Sequence, residues 1–143
     1  MLQNSYLILS RAPLDYKAGI PQYCKTIYYS SKQRTIFLNY ALDTKTKTHI
    51  THFGRSIQYT CSSQFVVGTF AFSFEYIRLF FRLASKSSHI HYQSPDPFSA
   101  ILILLLSLRK RLSILTTWHA EVYRSYLLFA PLLLIIDFLL HLR

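Results

Sequence analysis

Cysteine is scarce in this chain. Cys24 and Cys61 stand alone, with no Cys-x-x-Cys spacing and no histidine at zinc-finger distance. They read as reduced thiols and leave no zinc motif. Acidic residues are also few, six against sixteen Lys and Arg, for a formal charge of +10. Long apolar runs are missing. The two longest strongly apolar uncharged runs are Pro97 to Leu108 and Ser125 to Ile136, well short of the roughly 20 residues that span a bilayer. Arg109 to Arg111 end the first, and Pro131 and Asp137 interrupt the second. The N-terminus lacks a cationic start before an apolar stretch, so no secretory signal is visible and cytoplasmic residence is expected. Glycine occurs only three times. No internal repeat, low-complexity tract or linker divides the chain.

What is present is apolar mass. Hydrophobic residues make up 51%, which excludes disorder, and the length suits a single domain over residues 1–143. The basic excess favours an anionic partner: phospholipid, nucleic acid or a phosphorylated substrate. The basic residues are spread along the chain, and Arg109-Lys110-Arg111 is the only tight run. Spread charge argues against a dedicated nucleic-acid reader, so nucleic acid ranks last among the partners.

Periodicity gives the elements. Ser5 to Arg11 is a first strand, and Ala12 to Ile20 a loop. A helix is predicted from about Pro21 to Lys32, with Ile20, Cys24, Ile27 and Tyr28 on one stripe. Thr35 to Ala41 is a strand, and Ile50 to Thr60 another with weak alternation. Cys61 to Gly68 carries no clear signal. Ser73 caps a helix to Ala84, with Glu75 in its first turn and Phe74, Ile77, Phe80 and Phe81 on one face. A last helix is expected over Tyr123 to Leu140.

Between these lies the richest stretch, His89 to Glu121, HIHYQSPDPFSAILILLLSLRKRLSILTTWHAE. Ser88 to Gln93 is a strand, stopped by Ser94-Pro95-Asp96-Pro97. Asp96 is a good N-cap, and Pro97 suits the first helical position. Phe98 to Leu108 is apolar almost throughout, so this helix is expected to lack a wet face. Arg109, Lys110 and Arg111 complement its C-terminal dipole. Leu112 to Trp118 is a second strand, ending in His119-Ala120-Glu121. Two apolar strands joined by a helix form a right-handed βαβ unit with parallel strands.

The alternation β-α-β-β-α-β-α-β-α predicts an α/β fold: an open parallel sheet with helices on both faces. Ligands of such sheets bind outside the carboxyl ends of the strands, near the switch in strand order. Gly19, Ser94 and His119 each follow a predicted strand, so all three are expected on that one edge.

The runs His89 to Pro97 and Thr117 to Glu121 resemble the N-terminal domain of the family-4 type glycosyltransferases. These nucleotide-sugar enzymes have two Rossmann-like domains, the GT-B architecture. Arg11 to Tyr23, RAPLDYKAGIPQY, is similar to the loop after the family's first strand, with Ala18-Gly19 where paired glycines are usual. Tyr123 to Leu140 is similar to the helix after the Trp-His strand, including Pro131. The resemblance implies the acceptor-side half of a retaining enzyme, which moves a sugar from a nucleotide-sugar donor to a lipid-linked, saccharide or other hydroxyl acceptor. It implies no cofactor and no obligatory metal, the departing diphosphate being stabilised by basic groups and a helix N-terminus in a second domain. That domain is not found before Arg143, so little activity is expected of this chain without a donor-domain partner.

Each candidate residue has two readings. The resemblance gives His119 a catalytic place, bonded to the sugar or acceptor near the reacting centre, beside Trp118; otherwise it is a strand-end histidine bonding a carbonyl. Gly19 lets backbone approach a phosphate or sugar, or makes a plain turn. Ser94 follows its strand on the same edge. Glu121 orients His119 or touches the acceptor, or stabilises a first helical turn by charge. His89 and His91 share a strand face without a third ligand, which favours packing over metal. Asp96 reads as a cap rather than a catalytic acid. Arg109, Lys110 and Arg111 contact membrane phosphates at the inner face, or form a solvated helix end. A small basic membrane-surface protein without enzymatic activity is the competing reading.

Overall fold

A computed structural model describes residues 6–11, 13, 19–30, 34–67, 70–87, 89–94, 96–119 and the single positions 131, 135 and 138. The elements run β1 (Tyr6–Leu9), α1 (Gly19–Ser30), β2 (Thr35–Tyr40), β3 (His49–Phe53), β4 (Ser56–Cys61), β5 (Phe65–Val67), β6 (Phe70–Phe72), α2 (Phe74–Ala84), β7 (His89–Ser94), α3 (Pro97–Ser107) and β8 (Ser113–Trp118).

The fold is mixed α/β around a mostly parallel sheet of order β3-β4-β2-β1-β7-β8. Only β3 runs antiparallel, on the β4 edge. From β1 the chain builds outward to β2 and β4, then returns to add β7 and β8 on the other side. Strand order therefore switches between β1 and β7, which pair in register from Tyr6↔His89 to Leu9↔Tyr92.

The two sheet faces differ in chemistry. Leu7, Leu9, Ile36, Leu38, Ile90 and Tyr92 point to a back face, where α2 and α3 cover them with Tyr76, Phe80, Leu83, Phe98, Ile103 and Leu106. Each fully buried aliphatic or aromatic side chain there contributes about 2 kcal/mol. On the front face a small cluster of Ile8, Phe37 and Cys24, with Ile27 and Phe53 against it, seats α1. Helices thus lie on both faces, as the alternation predicted.

The βαβ unit forms as expected, with β7 and β8 parallel from His89↔Ser113 to Ser94↔Trp118. Asp96 caps α3 by accepting from the Phe98 amide at 3.2 Å, and Pro97 opens the helix. Ser73 caps α2 by accepting from the Tyr76 amide at 3.0 Å.

Three expectations are corrected and one gap is filled. Ile50 to Thr60 is not one strand but the hairpin β3–β4, turned at Gly54, whose φ of 54° suits a residue without Cβ. The unassigned stretch Cys61 to Gly68 holds the end of β4 and then β5, which pairs with β6 in a separate ribbon. Of the expected α2 face, Phe80 is buried and Ile77 and Phe81 pack partly buried against the same core, but Phe74 is exposed, and Tyr76, Leu79, Leu83 and Ala84 join Phe80 on the buried side. Finally, α3 does have an open side: Ile101 and Leu105 are 41% and 48% exposed. It lies over β7, one strand in from the sheet's edge, and its outer stripe has no neighbour among the described residues. Of the predicted tail helix only Pro131, Ile135 and Phe138 are described, with helical backbone.

Candidate functional site at the carboxyl edge of the sheet

Strand register sets a row of polar residues across the front face. Asn39 pairs with Thr60, and Gln93 with Thr117. Ser10 follows Leu9, whose partners are Leu38 and Tyr92, so Ser10 stands level with Asn39 and Gln93. The ladder continues to it, the Ser10 amide donating to the Leu38 carbonyl at 3.1 Å. Thr60, Asn39, Ser10, Gln93 and Thr117 thus give each parallel strand one polar residue near its carboxyl end. The neighbouring positions Leu9, Leu38 and Tyr92 alternate to the apolar back face.

His119 continues this row past β8. Its backbone amide donates to the Ser94 carbonyl at 3.0 Å. Its ring Nε2 lies 2.7 Å from Gln93 Oε1. An amide oxygen only accepts, so Nε2 carries the proton. Burial depresses the His119 pKa, which favours the neutral ring and leaves the Nδ1 lone pair as an acceptor. Tyr23, in the first turns of α1, meets the same imidazole edge-on at 5.5 Å between ring centres.

The first turns of α1 and the end of β8 therefore meet on one rim, beside the strand-order switch. Gly19 is the first residue of α1 rather than part of the preceding loop. Ser94 ends β7 and is buried, with no partner for its hydroxyl. Alternation turns that hydroxyl to the opposite face from Gln93, so Ser94 meets His119 through its carbonyl alone. Trp118 ends β8 in register with Ser94. Glu121 lies outside the described residues.

Arg109, Lys110 and Arg111 are exposed and precede β8, at the amino end of the strands. They sit across the length of the sheet from His119. Lys110 Nζ donates to the Ser85 carbonyl at 3.1 Å.

The paired histidines of β7 have separate structural partners. His91 is buried and lies 2.7 Å from Thr117 Oγ1; burial first, and the nearby His119 second, lower its pKa. His89 is exposed, stacks on Tyr6 and bonds Ser113 Oγ at 2.9 Å. Among the described residues no three His, Cys, Asp or Glu side chains converge as a metal group would need.

Asp96 is a cap and a hub. Tyr40 Oη donates to its Oδ1 at 2.9 Å, and Ser99 Oγ donates to Oδ2. Tyr92 Oη donates to its carbonyl at 2.9 Å and accepts from its amide at 3.0 Å. Burial raises the Asp96 pKa, opposed by the bonds from Ser99 and Tyr40 and by the charge of Arg11.

Sequence reasoning missed Gln93, Asn39 and Tyr23 as members of this edge. Gln93 Nε2 and both amide atoms of Asn39 are buried without partners. A polar residue inside an otherwise apolar strand, as in TIFLNY, was the available signal.

Beyond β1, a cavity of about 450 Å³ opens at the carboxyl ends of β2 and β4, with Pro13, Leu42, Asp43, Thr46, His49 and Thr60 in its wall. Asp43 accepts from the Lys45 and Thr46 amides, both at 2.7 Å, and from Thr46 Oγ1 at 2.8 Å. The Thr46 bonds, hydroxyl then amide, are the main cause holding its carboxyl below the ordinary range.

No helix among the described residues is long and apolar enough to cross a membrane. No family model matches the chain, and no curated protein or solved structure is significantly similar to it.

Proposed function

We propose that this chain is the acceptor-side domain of a retaining glycosyltransferase, its sheet being the Rossmann-like layer of a GT-B enzyme. The observation that carries this reading is the meeting of His119, Gln93 and the first turns of α1 beside the switch in strand order. That is where open α/β sheets bind their ligands. The Thr-Trp-His-Ala-Glu run that ends β8 gives the reading its chemistry.

In this scheme a neutral His119, fixed by Gln93, accepts a hydrogen bond through Nδ1 from a sugar or acceptor hydroxyl close to the reacting centre. Gly19 and the α1 N-terminus supply backbone donors. Trp118 and Glu121 complete the substrate-binding set, and Ser94 acts on it only through the carbonyl that holds the His119 amide. The nucleotide sugar itself is held by a donor-binding domain, elsewhere in the protein or in a partner chain.

The test is transfer of labelled sugar from a panel of nucleotide sugars, with a donor domain supplied in trans. Transfer that requires both components supports the proposal. Hydrolysis or transfer by the donor domain alone, unaltered by this chain, counts against it.

One observation favours a second reading, a basic protein held at the inner face of a membrane. Leu108, 62% exposed, adjoins the exposed Arg109–Lys110–Arg111 run, with Leu105 and Ile101 on the same side of α3. Cations beside exposed apolar side chains suit an anionic lipid surface. Sedimentation with anionic vesicles, lost when the three cations become Gln, supports it; unchanged sedimentation counts against it.

A further inference from the structure

We propose that the outer face of the α2–α3 layer is a docking surface for an anionic lipid bilayer. This rests on the second reading, a basic membrane-surface protein, and gives it a whole face rather than the end of α3. Both helices cover the back of the sheet and touch each other. Tyr76 Oη lies 2.6 Å from Ser99 Oγ near their N-termini, and Lys110 Nζ donates to the Ser85 carbonyl at 3.1 Å past their C-termini. Held at both ends, the helices lie side by side, and their outward stripes share one surface.

Each stripe stands opposite its helix's buried side. On α2 the buried residues are Tyr76, Leu79, Phe80 and Leu83. At about 3.6 residues per turn, Phe74, Arg78 and Arg82 then point away from the sheet. All three are exposed, as is Lys86 just beyond the helix. On α3, Ile101, Leu105 and Leu108 form the same kind of stripe, opposite the buried Ser99, Ile103 and Leu106. The exposed Arg109, Lys110 and Arg111 follow it.

The charge on this face is of one sign. From Phe74 to Arg111 the chain has six Lys and Arg, all exposed, against the acids Glu75 and Asp96. Asp96 is buried in its cap, and Glu75 pairs with Arg78 at 3.8 Å. Cations alone would equally suit a nucleic acid. The apolar residues among them decide for lipid. Phe74 is 66% exposed and stands one turn from Arg78, while Leu108 adjoins Arg109. A nucleic-acid backbone has no use for such side chains. At a bilayer the headgroup phosphates take the cations, and the apolar side chains enter the boundary with the acyl chains.

The experiment is co-sedimentation of the full chain with phosphatidylcholine vesicles, with or without phosphatidylserine, beside a gel shift on duplex DNA. Binding is expected with phosphatidylserine and not without it. Arg78→Gln/Arg82→Gln should weaken vesicle binding about tenfold or more, and Ile101→Ser/Leu105→Ser about tenfold. Both variants should keep the parent's circular dichroism, since all four side chains face outward. If Ile101→Ser/Leu105→Ser fails to fold, Phe74→Ser takes its place. Vesicle binding abolished by Gln at positions 109–111 but indifferent to Arg78→Gln/Arg82→Gln would overturn the proposal and leave the membrane reading standing. Failure of the parent chain to sediment would remove both. Binding to DNA that exceeds binding to vesicles and ignores the apolar substitutions would make this a nucleic-acid surface, and would also overturn the proposal.

Discussion

His119 is tied to the end of β7 twice over: ring Nε2 donates to Gln93 Oε1 at 2.7 Å, and the backbone amide donates to the Ser94 carbonyl at 3.0 Å. The second bond fixes where the residue sits, and the first fixes which ring nitrogen carries the proton. A histidine so held presents Nδ1 as a defined acceptor. Partners that orient a working histidine matter to function out of proportion to their effect on stability.

Gln93→Leu separates those two effects. The fold should be retained within about 1 kcal/mol, since the Gln93 amide nitrogen is already unpartnered. Reconstituted sugar transfer should fall about tenfold as the ring loses its anchor. Denaturant titration and initial-rate assays on the same preparation check both halves.

His91 makes stability pH-dependent. Burial holds its folded pKa below the ordinary 6.5. Above that pH neither state is protonated there, and the contribution is complete. As pH falls below 6.5, the unfolded chain takes up the proton first, and stability is lost until the folded pKa is reached. The loss is at most about 1.4 kcal/mol per pH unit for one proton. Asp96, with its raised pKa, acts in the opposite sense, so the comparison must be made between variants. Unfolding at pH 7.5 and 5.5 should show a smaller acid penalty in His91→Gln than in the parent chain.

Asp96→Ala should destabilise the fold by about 3 kcal/mol. It removes the α3 cap and strips the Tyr40 and Ser99 hydroxyls of their acceptor inside the core. Asp96→Asn keeps an acceptor for Tyr40 and for the Phe98 amide, and should cost about 1 kcal/mol or less. Thermal or urea unfolding of the two variants gives the contrast, and equal losses would mean that charge, not capping, governs the position.

The two thiols should be silent in the native state. Burial pushes Cys24 up to about 11, only partly offset by its bond to Ser10, and burial pushes Cys61 up to about 12 with help from Glu75. At neutral pH this leaves about a hundredfold less thiolate at Cys24 and about a thousandfold less at Cys61 than an ordinary cysteine, quite apart from access. A chromogenic disulfide reagent should register both only after unfolding in guanidinium.

Local signals made the βαβ unit readable. Asp96 and Pro97 announce a helix start by their own chemistry, and apolar runs flank them. The hairpin β3–β4 was hidden because β3 is an edge strand whose residues are all exposed or half-buried, so it lacks the alternation that burial imposes; Gly54 alone marks the turn. β5 and β6, three residues each, are too short for any period. The open side of α3 was unreadable because a uniformly apolar helix gives no phase. Asn39 and Gln93 were overlooked for another reason. Neither stands out within its own strand, and the row they share exists only through the register of β2, β1 and β7.

The most direct test of the carboxyl-edge site is the rate of sugar transfer by the chain with a donor domain, compared between the parent and His119→Ala. With Nδ1 removed from the reacting centre, the rate should fall about a hundredfold, while the variant remains folded by circular dichroism. A folded His119→Ala chain that supports transfer at the parental rate would contradict the assignment of this edge as the place where sugar is held.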